Sequence, residues 1–141
     1  MADEGHYFSQ SLALGDPDVG NAYRVTVDWG YTQNGNPVTS TFTTTSHTPL
    51  VDHYFPDNGS YTVTVTVDDQ QGQPNSVETD RFTVTVSNIT PTLSLFGDNT
   101  VEQGQIYTLS LGNVVDPGAD SVTQYSIDWG DGTPPQLIAA A

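Results

Sequence analysis

The chain has 141 residues, with 17 Asp and Glu against 2 Lys and Arg, a formal charge of −15 and no cysteine. That length holds one domain, or one domain and part of another. Such a charge repels phosphate backbones and anionic bilayers, which argues against nucleic acid and membrane surfaces as partners, and without disulfides stability must come from a core, a metal or neighbours.

Period-two alternation runs along the chain, and no segment carries a helical period. After a turn signal at 15–21 (GDPDVGN), YRVTVDW over 23–29 puts Tyr23, Val25, Val27 and Trp29 on one face, with Arg24, Thr26 and Asp28 on the other. NGNP at 34–37 contains Asn34-Gly35, a two-residue hairpin turn in which both central positions take positive φ. FPDNGS at 55–60 is the next turn, and YTVTVTV over 61–67 aligns Tyr61, Val63, Val65 and Val67 against three Thr. DDQQGQPN at 68–75 leads to RFTVTVS over 81–87, with Phe82, Val84 and Val86 inward. Thr on the wet face and Val or aromatic residues on the dry face suit half-buried antiparallel sheet. Short strands with turns between them predict an all-β fold, an Ig-like antiparallel β-sandwich.

A repeat organises this pattern. The stretch from Glu4 to Gly30 aligns with that from Glu102 to Gly130; Asp-Pro falls at 16–17 and 116–117, and Asp-Trp-Gly at 28–30 and 128–130. The expected organisation is a near-complete unit over 1–88 that lacks its first strand, a linker at 89–91, and a partial second unit over 92–138 carrying strands A to C. PTLSLFGDNTV, 91–101, precedes Glu102 and has no counterpart before Glu4. Met1-Ala2 and the three alanines at 139–141 read as cloning residues outside the fold. No signal peptide and no membrane-length apolar run is visible, and the chain is expected to be a piece of something longer.

IDWGDGT (127–133), HYFPDNGSYTVTVTVDD (53–69) and DRFTVTVSNITP (80–91) together resemble the tandem PKD (polycystic kidney disease) repeats of bacterial surface and secreted proteins. The resemblance covers nearly the whole chain. It implies a sandwich of about seven strands whose structural signature is carried here by Asp28, Trp29, Gly30, His53, Phe55, Gly59 and Tyr61, and in the second unit by Asp128, Trp129, Gly130, Asp131 and Gly132. The first unit departs from the signature after Gly30, where Tyr31-Thr32 replaces Asp-Gly. The resemblance further implies a spacer or adhesion module outside the cell, not an enzyme.

Residues for catalysis are wanting: no cysteine nucleophile, no G-x-S-x-G elbow, no H-E-x-x-H and no phosphate loop occurs, and His6, His47 and His53 do not cluster. His53 reads as a structural residue whose ring bonds backbone at a strand corner. The acidic loops offer a Ca²⁺ site as a further expectation. In such a sandwich the loops 15–21 and 68–79 leave at one end and gather Asp16, Asp18, Asp68 and Asp69, with Glu78 and Asp80 near and Asn21 and Asn75 adding amide oxygens. Asp116 and Asp120 are the corresponding candidates of the second unit, expected near the junction with the Asp28, His53 and Asp57 end of the first. The bland alternative is a solvated acidic rim. Trp29 and Trp129 are expected in cores, and Tyr31, Phe42 and Tyr54 at core or edge positions, one of them able to meet a sugar. Asn58-Gly59-Ser60 and Asn88-Ile89-Thr90 read as glycosylation sequons, which carry little meaning in a bacterial protein.

The expected function is therefore a non-catalytic extracellular or cell-surface spacer or adhesion repeat from a bacterial source, mediating protein–protein or cell-surface interaction. The alternative is a polysaccharide-binding accessory module of a secreted hydrolase. Neighbouring repeats and a protein or polysaccharide ligand are the expected partners. Residues 91–101 are the natural donor for the strand that the first unit lacks, by folding back or by crossing to a second chain; the short linker points to a strand-exchanged homodimer or to two half-units packed against each other.

Overall fold

A computed structural model of the chain describes residues 1–15, 22–72 and 76–140. These fall into two compact units, Met1–Asn88 and Ile89–Ala141. Among the described residues there are only strands and turns.

In the first unit the strands are β1 (Ala2–Asp3), β2 (Tyr7–Ser11), β3 (Tyr23–Gln33), β4 (Asn36–Thr44), β5 (Leu50–Tyr54), β6 (Gly59–Asp68) and β7 (Val77–Ser87). One sheet runs in the order β1-β7-β6-β3-β4, and β2 pairs with β5 in a second. The two inner faces meet in a core of Tyr23, Val25, Val27, Trp29, Val63, Val65, Val84 and Val86 from the large sheet, with Leu12, Val51 and Phe55 from the β2–β5 side. This is the Ig-like sandwich that the alternation predicts, and the inward residues of β3, β6 and β7 are those read from the sequence. Asn34 and Gly35 join β3 to β4 with φ of 53° and 79°, as the hairpin signal requires.

Two features differ from expectation. The edge of β7 is occupied by β1, which pairs in parallel through Ala2↔Val86 and Asp3↔Ser87, and Glu4 N–H extends the contact to the Ser87 carbonyl at 3.1 Å. Ala2, set outside the fold on sequence grounds, is thus a buried core residue. Second, β3 carries two extra residues relative to β4 between Asp28↔Thr39 and Thr32↔Pro37. Gly30 lies in that irregularity at φ +80°, and a Cβ there would meet the Thr62 carbonyl of β6. Only glycine allows both the dihedral and the approach.

The second unit consists of two ribbons. β8 (Thr92–Phe96) pairs antiparallel with β9 (Ser110–Val115), and β10 (Gln124–Ile127) with β11 (Gln136–Ala139). It therefore carries a fourth strand beyond the A to C expected, and Ala139, also read as a cloning residue, pairs with Gln124. Residues 92–96, part of the segment expected to be exchanged, pair with β9 within their own unit. A two-stranded ribbon buries little, and every residue of β8 is exposed.

Candidate functional site

The signature residues of the first unit converge on one interlocked cluster. Trp29, the last inward residue of β3 before Gly30, is fully buried and its Nε1 donates to Ser40 Oγ of β4 at 2.9 Å. His53 of β5 lies flat on the indole, with ring centroids 4.1 Å apart and planes at 8°. Phe55 meets His53 edge-on at 5.0 Å and lies tilted by 35° against Tyr61 at 4.5 Å. Tyr31 closes the group: its hydroxyl and His53 Nε2 share a hydrogen bond at 3.0 Å. The sequence reading gave His53 a backbone partner at a strand corner; its ring partner is this phenol. Burial pushes the His53 pKa down, with the neighbouring Asp52 charge opposing, and burial pushes Tyr31 up. A neutral imidazole stacked on the indole, met at right angles by Phe55 and bonded to a neutral phenol, forms a packing element that ties β3, β5 and β6 together.

The turn beside this cluster is held by Tyr61, whose hydroxyl donates to the Asp57 carbonyl at 2.7 Å. Burial, then the charge of Asp57, raises its pKa. Gly59 opens β6 two residues before it at φ +144°. Asp28 is spent locally as well: its Oδ1 accepts from the Gly30 amide at 2.9 Å.

The acidic candidates among the described residues lie on separate turns and strands. Asp16, Asp18, Asn21 and Asn75 lie outside the described residues. Asp68 and Asp69 accept from the Gln70 and Gln71 amides at 2.8 and 2.9 Å, so each carboxylate stabilises the turn after β6. Glu78 and Asp80 belong to β7, opposite Val67 and Val65, and Asp80 accepts from the Arg81 amide at 2.7 Å. Asp116 accepts from the Gly118 amide at 3.2 Å, and Asp120 is exposed in the following loop. Among the described residues of the first unit, Glu4 and Asp57 bring carboxylate oxygens within 4.8 Å of each other, Glu4 being fully buried. Such a pair supplies hard oxygen ligands of the kind Ca²⁺ takes. Glu4 was missed as a site residue although it opens the repeat, because nothing local marks a terminal carboxylate as buried.

In the second unit the same phrase folds locally but packs differently. Asp128 accepts from the Gly130 amide at 2.9 Å, as Asp28 does from Gly30. Asp131 accepts from the Thr133 hydroxyl at 2.6 Å and amide at 2.9 Å, and these bonds hold its carboxyl below the usual range. Gly130 and Gly132 take φ of 72° and 81°. Trp129, expected in a core, is instead 45% exposed, with Tyr107 at its edge and Nε1 donating to Gln136 Oε1 at 3.1 Å.

Other sequence candidates resolve simply. His6 and His47 donate through Nδ1 to the Glu4 and Leu14 carbonyls at 3.1 and 3.3 Å. Phe42 packs against the core. Tyr54 is 41% exposed and forms a cross-strand pair with Tyr7, itself 75% exposed, at a centroid distance of 5.9 Å.

Compared with known proteins, residues 3–84 match the family model of the PKD domain. None of the curated proteins and none of the solved structures matches the chain.

Proposed function

Since the chain belongs to the PKD domain family, whose members are typically extracellular, non-catalytic Ig-like modules, we propose that it works as a spacer or adhesion repeat at a cell surface. The observation that carries this reading is the parallel pairing of β1 with β7. Tension along the chain enters a unit at one end and leaves at the other. Here the strands at those ends lie side by side and parallel, so pulling them apart loads their hydrogen bonds together, along the strands, in shear. Antiparallel terminal strands would instead open one bond at a time. The His53 cluster and the Tyr61 turn support the same reading, because they brace the sandwich where β3, β5 and β6 meet. Serial repetition of the unit, with Asp-Trp-Gly at 28–30 and 128–130, fits a module whose task is length.

A second reading, a polysaccharide-binding module, is favoured by the exposed Tyr7–Tyr54 pair on the β2–β5 face, since solvent-facing aromatic rings suit sugar contact. Pulldown on insoluble polysaccharides and screening on glycan arrays separate the two. The spacer shows no retention; retention that disappears in Tyr7→Ala/Tyr54→Ala establishes the second reading.

A further inference from the structure

We propose that a second copy of this chain lends its Thr92–Phe96 strand to the open edge of β2 in the first unit, so that the chain self-associates by strand exchange.

The acceptor is a groove of about 860 Å³ between the β2 segment and the start of β7. Leu12, Leu14, Val67 and Phe82 provide its apolar surface, and the carboxylates of Asp69, Glu78 and Asp80 also line it. Its rim is a strand edge that no other strand covers among the described residues, the Ser11 carbonyl accepting from the Gln10 side chain at 2.8 Å. Leu12 and Leu14 amides donate to the Pro49 and His47 carbonyls at 2.9 and 2.8 Å, on the β5 side. Alternation then turns the backbone groups of Ser9, Ser11 and Ala13 the other way, where no strand pairs with β2 among the described residues. Such an edge is a template for an added strand.

The second unit shows what fits an edge of this kind. β9 holds the place before Asp116-Pro117 that the β2 segment holds before Asp16-Pro17, and β9 carries β8 antiparallel along it. β8 is suited to leave: it is half of a two-stranded ribbon, with Leu95 59% exposed and Leu93 and Phe96 also exposed. Its residues Thr92–Phe96 carry no charge, so they enter beside Glu78 and Asp80 without like-charge contact. Antiparallel docking places Asp98 at the far end from those carboxylates.

The donor comes from another copy because of chain length. An antiparallel strand on β2 must begin near Gly15 and the start of β7, whereas the chain leaves β7 at Ser87. That is about 33 Å back along the strand, and the linker of residues 88–91 reaches at most about 14 Å.

Sedimentation of the whole chain over a wide concentration range tests this. A dimer is expected where exchange is reciprocal and a longer assembly where it is not; either collapses to monomer in Leu93→Asp/Leu95→Asp, with the thermal melt of the first unit preserved. The chain has no cysteine, so mixing an Ala13→Cys chain with a Ser94→Cys chain under mild oxidation gives a mixed disulfide if the strands lie side by side. Monomer at all concentrations, association indifferent to Leu93→Asp/Leu95→Asp, or no mixed disulfide overturns the proposal.

Discussion

His53 lies on Trp29 like one plate on another, 4.1 Å between centroids and 8° between planes, while its Nε2 is held 3.0 Å from the Tyr31 hydroxyl. Stacking removes one ring face from water, and the phenol occupies a ring nitrogen. Both favour the neutral imidazole, consistent with a pKa lowered by burial.

This makes stability depend on pH with a defined sign. A histidine whose folded pKa is depressed leaves the unfolded chain binding more protons, so its contribution is complete above the usual value of about 6.5 and falls as the pH drops below it. The melting temperature of the first unit is expected to decline between about pH 7 and pH 5. Replacing His53 by Phe, which keeps an aromatic ring on Trp29, flattens that part of the profile, measured by circular dichroism melts at matched ionic strength.

Gly30→Ala is expected to destabilise the first unit by about 1–3 kcal/mol from the left-handed dihedral alone, with more added because the new Cβ meets the Thr62 carbonyl. Gly35→Ala has nearly the same φ, 79°, but open space around it, and should cost only the backbone term of about 1–2 kcal/mol. Urea titration of the two variants measures the difference, which reports the close approach of β3 to β6.

The two tryptophans should behave oppositely. Trp29→Ala empties a fully buried site and is expected to cost about 3–5 kcal/mol. Trp129→Phe leaves Trp29 as the sole indole, with blue-shifted emission that iodide barely quenches. The difference spectrum assigns quenchable, red-shifted emission to the 45% exposed Trp129.

Tyr61→Phe removes the 2.7 Å bond to the Asp57 carbonyl and is expected to cost about 0.5–1.5 kcal/mol in denaturant unfolding, without change in the far-ultraviolet spectrum.

The large sheet was legible because its information is local. Tyr23, Val25, Val27 and Trp29 announce their face by period two, and Asn34-Gly35 announces its turn by the dihedrals only such residues adopt freely. What stayed hidden depends on partners distant in sequence. Trp29 and Trp129 stand in the same Asp-Trp-Gly phrase, yet one is buried and the other half open, because burial depends on what lies opposite. Ala2 looks like an end until Val86 is found beside it. Tyr31 looked like a loss of the signature's acidic turn, whereas its hydroxyl gives His53 the partner that sequence reasoning sought in the backbone. The local bonds of the described loop carboxylates were hidden as well, because such groups turn first to the nearest amide: Asp68, Asp69 and Asp116 each accept from a backbone N–H two residues on.

The central claim, that the first unit bears tension through its parallel terminal strands, is tested most directly by pulling it from both ends in a single-molecule force experiment, since forced unfolding reads the unfolding barrier rather than equilibrium stability. Chains lacking Met1–Asp3 and chains carrying Gly30→Ala are compared at equal loss of equilibrium stability. The account predicts a markedly larger fall in unfolding force for the chain without β1; equal falls in the two chains would contradict it.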